Sequence, residues 1–189
     1  LGNSLNFAQT SGQSVTFTAT NGNISFSDTS DTIETAGGSI VMSAGGILSV
    51  GAMKTNGGDI ALTGGGTLSL GAMNTGGGDV TLAGTDFSLS GGVDAGTGTL
   101  TILGGNGETI GLDGITAGTN ASTVSTICNS SACGLTLTQD ELSKITAAKL
   151  VIGDSSSGNM YIDGVTISHI SGGVTLNSSG ANGSVIFGT

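Results

Sequence analysis

The chain has 189 residues, 37 of them Gly, with no Pro, no Trp and a net charge of −10. Besides His169 its only basic residues are Lys54, Lys144 and Lys149, which excludes a nucleic-acid partner, because phosphate contacts need a basic surface. No apolar run approaches the roughly 18 residues of a membrane-spanning helix, so no transmembrane segment is expected, and no signal peptide is visible. Hydrophobic residues make up 36% and recur regularly, so the chain can bury a core despite its Gly and Ser/Thr content.

Residues 1–34 are irregular first coils. Leu5/Phe7, Val15/Phe17 and Ile24/Phe26 are alternating pairs, which is strand spacing. Phe7, Phe17 and Phe26 make this end the most aromatic part. The acidic stretch 28–34 holds Asp28, Asp31 and Glu34; three carboxylates fall short of the six to eight oxygens that Ca²⁺ takes, and a solvated turn is expected. The chain opens on Leu1, so a processed product or a piece of a longer protein is expected.

Residues 35–94 organise the rest. Written in lines of 20 they read TAGGSIVMSAGGILSVGAMK, TNGGDIALTGGGTLSLGAMN and TGGGDVTLAGTDFSLSGGVD. A glycine pair recurs at Gly37/Gly38, Gly57/Gly58 and Gly77/Gly78. Apolar pairs recur at Ile40/Met42, Ile60/Leu62 and Val80/Leu82, and at Leu48/Val50 and Leu68/Leu70, slipping by one at Phe87/Leu89. A repeat of this length marks a solenoid, and alternation within each line marks strands, so the spacing predicts a right-handed parallel β-helix. One coil cannot bury its apolar face alone, whereas stacked coils bury a continuous column. The expected core ladders are Ile40, Ile60, Val80, Leu100 and Met42, Leu62, Leu82, Ile102. Met53, Met73 and Val93 form a corner column, read as gap-filling core and not a cofactor site. At about 20 residues per coil the whole chain gives roughly nine coils and about 45 Å of rise.

Regular repeats are expected over 35–115. Within them Asp59 and Asp79 are equivalent, so their carboxylates should lie one coil apart. They are expected either to face water or to share a cation, because like charges opposite one another repel. The stretch Gly104–Leu112 only faintly matches a calcium nonapeptide repeat: Thr109 replaces the Asp ligand and the unit occurs once, so no metal is expected there. Residues 116–134 break the period and read as a loop excursion, the best place for a specific contact. Asn120 and Asn129 there lie in sequons, as do Asn23, Asn177 and Asn182, which carry little weight in so Ser/Thr-rich a chain. Cys128 and Cys133 close a short loop that a disulfide can span. Free thiols are the alternative, and a metal site lacks further ligands. A disulfide would place the chain in an oxidising, extracytoplasmic compartment.

Residues 135–189 read as β-helix coils with one short helix near 139–147. Leu135/Leu137 is a strand. Thr138 to Glu141 is a capping box, with Leu142, Ile145, Ala147 and Ala148 suited to one or two helical turns. Leu150/Ile152, Met160/Ile162 and Val165/Ile167 resume the alternation, then Ile170, Val174/Leu176 and Val185/Phe187.

This last block resembles the haemagglutinin-repeat, filamentous-haemagglutinin-like exoproteins of bacterial surfaces. Their pattern is matched by Leu137-Thr138, Glu141-Leu142, Ile145, Ala147, Leu150, Ile152-Gly153-Asp154, Ser157-Gly158, Ile162 and Gly164, with Met160 at an apolar position. The coils from 35 onward resemble the same family's glycine-pair units. The resemblance covers residues 35–167 and implies a secreted β-helical fibre in adhesion, matrix or surface-layer roles. The family's N-terminal secretion domain is not recognisable.

The expected function is a non-catalytic structural or adhesive fibre segment, extracellular or on the cell surface. Its expected partner is a further copy stacked end to end, or more of a longer chain, with a cell-surface glycan or matrix as possible ligand. No cofactor is expected. The alternative is a polysaccharide lyase or glycoside hydrolase on the same scaffold. A glycosidase needs two carboxylates across a groove, and a lyase needs a base and a cation. There is no Arg, His169 is alone, and Asp154, Asp163 and Tyr161 near it form no recurring pattern. A third reading, surface or ice binding through Thr16/Thr18/Thr20 and Thr136/Thr138, fails because the pairs do not continue through the middle coils.

Overall fold

Glycine at each corner lets the coils approach. An added Cβ would lie 2.4 Å from the Gly38 carbonyl oxygen at Gly58, and 2.2 Å from that of Gly58 at Gly78. Any other residue there would force the coils apart. The computed structural model describes residues 5–26, 30–105, 107–113 and 133–187. It is an all-β solenoid of parallel strands stacked in about six turns, with almost no helix.

The first turn carries β1 (Leu5–Ser11), β2 (Val15–Ala19) and β3 (Ile24–Ser25). The second carries β4 (Thr32–Ala36), β5 (Ile40–Ala44) and β6 (Leu48–Val50). The third carries β7 (Ala52–Lys54), β8 (Ile60–Gly64) and β9 (Thr67–Leu70). The fourth carries β10 (Met73–Asn74), β11 (Val80–Ala83) and β12 (Asp86–Leu89). Then come β13 (Val93–Asp94), β14 (Thr99–Leu103) and β15 (Ile110–Asp113). After the excursion follow β16 (Leu135–Thr138), α1 (Gln139–Leu142) and β17 (Ile145–Ile152). The chain continues through β18 (Met160–Asp163), β19 (Ile170–Leu176) and β20 (Val185–Phe187).

The strands fall on three faces, and inward residues stack into columns. Val15, Ile40, Ile60, Val80, Leu100, Leu150 and Val174 pair in succession along one column. Phe17, Met42, Leu62, Leu82, Ile102, Ile152 and Leu176 form the next. At the corner, Ile33, Met53, Met73, Val93 and Ile145 stack in the same way. From Ile40 to Ile152 the residues of the first two columns are essentially wholly buried, and each removes a side chain from water on both sides. Phe17 and Phe26, edge to face at 6.3 Å between centroids, pack against the core from the first turn.

A polar column runs beside the apolar ones. Thr35, Thr55 and Thr75 are fully buried. The Thr75 hydroxyl donates to the Gly78 carbonyl at 2.6 Å, and Thr35 and Thr55 donate likewise to Gly38 and Gly58. Ala95 takes the next place in this column and is equally buried.

Three expectations are corrected. The stack has about six turns, not nine, because later turns are longer: Leu100 pairs with Leu150, and Leu150 with Val174. The helix is a single turn. Ile145 and Ala147 belong to β17, where Ile145 extends the Val93 column; β-branched residues at period two serve the sheet better than a helix. Val165 and Ile167 lie outside any strand, although both pack against the core.

Candidate functional site

The regular stacking is broken at one place. β16 follows β15 in sequence, yet the order across that face is β16, β15, β18, β20. β15 pairs with β16 on one side and with β18 on the other. The chain therefore runs out past Asp113 and comes back to lay Leu135–Thr138 beneath β15. That puts β16 against β12, and no strand ladder joins these two among the described residues.

Side chains hold this seam where backbone bonds do elsewhere. The Asp86 carboxylate stands by the backbone amides of Phe87 and, across the gap, Thr136, both of which favour its charged form. Lys144 donates its ammonium to the Leu89 carbonyl on β12. Glu141 caps α1: its Oε2 accepts from the Thr138 N–H at 3.0 Å and the Thr138 hydroxyl at 2.9 Å, while the Glu141 N–H donates back at 3.3 Å. These groups surround an open cleft of about 320 Å³ whose lining includes Asp86, Phe87, Leu89, Thr136, Glu141 and Lys144. Burial pushes the Glu141 carboxyl above its ordinary value, and the charge of Asp86 adds to the rise, against the Thr138 bonds and Lys144. Desolvation also raises Asp86, against the two backbone amides.

Two carboxylates with raised pKa in one cleft is the arrangement a sugar-cleaving enzyme would use. Here each already has partners within the protein itself. Glu141 is bound into the helix cap, and Asp86 faces the Thr136 amide at the edge of β16. The Glu141 cap and the Lys144 bond to the Leu89 carbonyl hold the out-of-order strand and the turn after it in place.

The other candidates are dispersed. His169 lines a separate cleft of about 330 Å³ with Thr146, Ala147, Ser168 and Ile170, and no carboxylate lines it. Its Nδ1 lies 3.4 Å from the Ser168 hydroxyl, and its carbonyl accepts from Ala147. The Asp154 carboxylate is consumed by its own turn. It accepts from the Ser156 N–H at 2.8 Å, the Ser156 hydroxyl at 2.7 Å and the Ser157 N–H at 3.0 Å. The Ser156 hydroxyl is the first cause of its lowered pKa. Tyr161 faces outward and takes a bond from Asn159 at 3.4 Å. The serine and glycine of the Gly153–Gly158 segment thus build a turn.

Asp59 and Asp79 need no cation. Asp59 Oδ1 accepts from the Asp79 N–H at 2.8 Å, and Asp79 Oδ1 accepts from the Thr99 N–H at 2.7 Å. Ser14 and Ser39 start the same series. Each side chain clips the next turn while facing water. Glu34 pairs with Lys54 at 3.1 Å, which lowers its pKa; Asp28 lies outside the described residues. No group of three metal-ligating side chains occurs among the described residues. Among the described residues no helix is long and apolar enough to cross a membrane. Cys128 and most of the 116–134 excursion lie outside the described residues, whereas Cys133 and Gly134 lie within them.

Sequence reasoning missed the Thr35, Thr55, Thr75 column, although a Thr opens each 20-residue line. It also missed Asp86, which stands in register with Thr67. Compared with known proteins, the chain matches no family model, no curated protein and no solved structure. The fold itself defines the class, a parallel β-solenoid.

Proposed function

We infer that the chain is a non-catalytic structural rod: a segment of an extracellular or cell-surface fibre, built to hold a length and to present its side faces to a glycan or matrix. One observation carries this. The two apolar columns from Val15 to Val174 and from Phe17 to Leu176 run unbroken through every described turn. Val174 and Val185 are each 41% exposed and Phe187 is 71% exposed, whereas Leu150 and Met160 one turn below are fully buried. The resemblance to haemagglutinin-repeat exoproteins supports the same reading. Under it, Cys128 and Cys133 form a disulfide that closes their own short loop, in an oxidising compartment.

The Asp86–Glu141 cleft favours a second reading, a polysaccharide lyase or glycoside hydrolase. Incubating the purified chain with polyuronates and neutral polysaccharides separates the two. No depolymerisation is expected. Cleavage that disappears in Glu141→Gln or His169→Ala would transfer the chain to the enzymes. Negative-stain microscopy of native material is expected to show long thin fibres, and isolated compact particles would count against the rod.

A further inference from the structure

We propose that the face formed by β5, β8, β11, β14, β17 and β19 docks the same face of a second copy of this chain, the two stacks lying side by side in opposite directions. The contact uses only the flank of the stack and needs neither end of it. Three features of that face carry it.

The first is composition. The middle outward column reads Val41, Ala61, Thr81, Thr101, Val151 and Thr175. Beside it stand Ser43, Thr63, Ala83 and Leu103. None of these residues is charged. On the face of β7, β10 and β13, by contrast, Glu34, Lys54 and Asp94 share one outward column. An uncharged sheet face of methyls and hydroxyls packs on another sheet at about 10 Å.

The second is charge, which is confined to one margin, as at the rims of protein interfaces. The column there reads Ser39, Asp59, Asp79, Thr99 and Lys149. Its three charged side chains are exposed, and Lys149 has no ion pair among the described residues. Asp59 and Asp79 each use only Oδ1 on the next turn. A two-fold axis along the strands, passing between the Thr81 and Thr101 rungs, sets each column against its own copy with the rungs reversed. Asp59 then meets the partner's Lys149, Lys149 meets the partner's Asp59, and Asp79 meets the partner's Thr99. An axis through the Thr81 rung would set Asp79 against the partner's Asp79, and like charges in contact reject that register.

The third is shape. The same axis sets Ala61 against the partner's Val151 and Ala83 against the partner's Leu103, small against large both times. Beside Ala83 lies an open groove of about 250 Å³ whose lining includes Gly64, Gly65, Gly84 and Thr85, and the partner's Leu103 seats there. The rungs from Val41 to Thr175 span about 29 Å and a strand of this face about 16 Å, so each copy covers roughly 450 Å². Two such faces lie at the lower end of specific contacts, which makes the pair weak and concentration-dependent. The same patch serves both copies, so the contact closes as a dimer.

The test is sedimentation equilibrium on the 189-residue chain over a range of concentrations, with far-ultraviolet spectra to confirm folding. Wild type is expected to pass from monomer to dimer. Thr81→Arg, outward at the centre of the face, is expected to stay monomeric with an unchanged spectrum. Asn74→Arg, outward on another face, is expected to dimerise as wild type does. Lys149→Asp and Asp59→Lys are each expected to weaken the dimer about tenfold. An equimolar mixture of the two is expected to restore it, because both ion pairs are remade across unlike chains. Should Asp59→Lys unfold, Ala61→Arg serves instead: it faces the partner's Val151 and is expected to be monomeric. A monomeric wild type would overturn the proposal. So would an arginine variant of this face that associates as wild type does, or two folded charge variants that mixing fails to rescue. The rod reading, judged by the polysaccharide assay and by microscopy, stands apart from these outcomes.

Discussion

Turns two to four and the seam above them solve the same problem with different materials. Between Thr35 and Leu103 each turn lies on the one made 20 residues earlier, or 19 where β12 meets β9, as in Ile60 on Ile40 and Val80 on Ile60. Backbone ladders, buried Thr hydroxyls and the Asp59 and Asp79 clips all repeat at that interval. At the seam β12 meets a strand formed some fifty residues later, and Asp86, Glu141 and Lys144 take over from the ladder. A periodic sequence thus supplies identical contacts cheaply in sequence distance, while an inserted rung needs particular side chains at particular places.

The largest test of this contrast is a matched pair of core truncations. Leu62 and Leu137 are both fully buried. Leu62→Ala should cost about 2–5 kcal/mol in denaturant unfolding, and Leu137→Ala should fall toward the lower end, since the open cleft lets its neighbours collapse. Equal losses would mean the seam is packed as firmly as the regular turns. Next comes the polar column. Thr55→Val keeps the shape and removes the hydroxyl that satisfies the Gly58 carbonyl, at an expected cost of about 1–3 kcal/mol. A neutral outcome would make that column incidental.

The pH dependence is smaller and has a definite sign. Asp86 and Glu141 both have raised folded-state pKa values. Their contribution to stability is complete below the ordinary carboxylate range and is lost as pH rises through the raised values. Asp140 and Lys144 line the same cleft and set the remaining field. Melting temperatures of wild type and Glu141→Gln should therefore agree near pH 4 and separate toward pH 7, with the variant the more stable, since Gln still closes a capping box. A wild type that gains on the variant with rising pH would reverse the assignment. The smallest effect is local: β16 amides should exchange about tenfold faster than those of β9, which has ladders on both sides. Equal protection would erase the distinction between the two regions.

The regular turns were legible because period 20 and period 2 coincide in one stretch. Together they state which residues face inward and which lie above which. The insertion of β16 was not legible. Leu135 and Leu137 announce a strand and its buried face, but that alternation fits any rung, and the choice of neighbour is made across a long separation. Glu141 was readable as a cap from local spacing, whereas its second role depends on Asp86, far away in sequence. Asp59 and Asp79 were readable as equivalent but not as clips, because a carboxylate that accepts from the next turn looks the same in sequence as one that faces water alone.

The out-of-order rung also bears on how the molecule is made. A chain emerging from its N-terminus can lay down four turns as they appear, each finding its support already in place. Ile110–Asp113 arrives before the strand that will lie under it, and settles only when Leu135–Thr138 has been delivered. The ladder on the lower side of that strand can therefore close only once a segment made some twenty residues later is available.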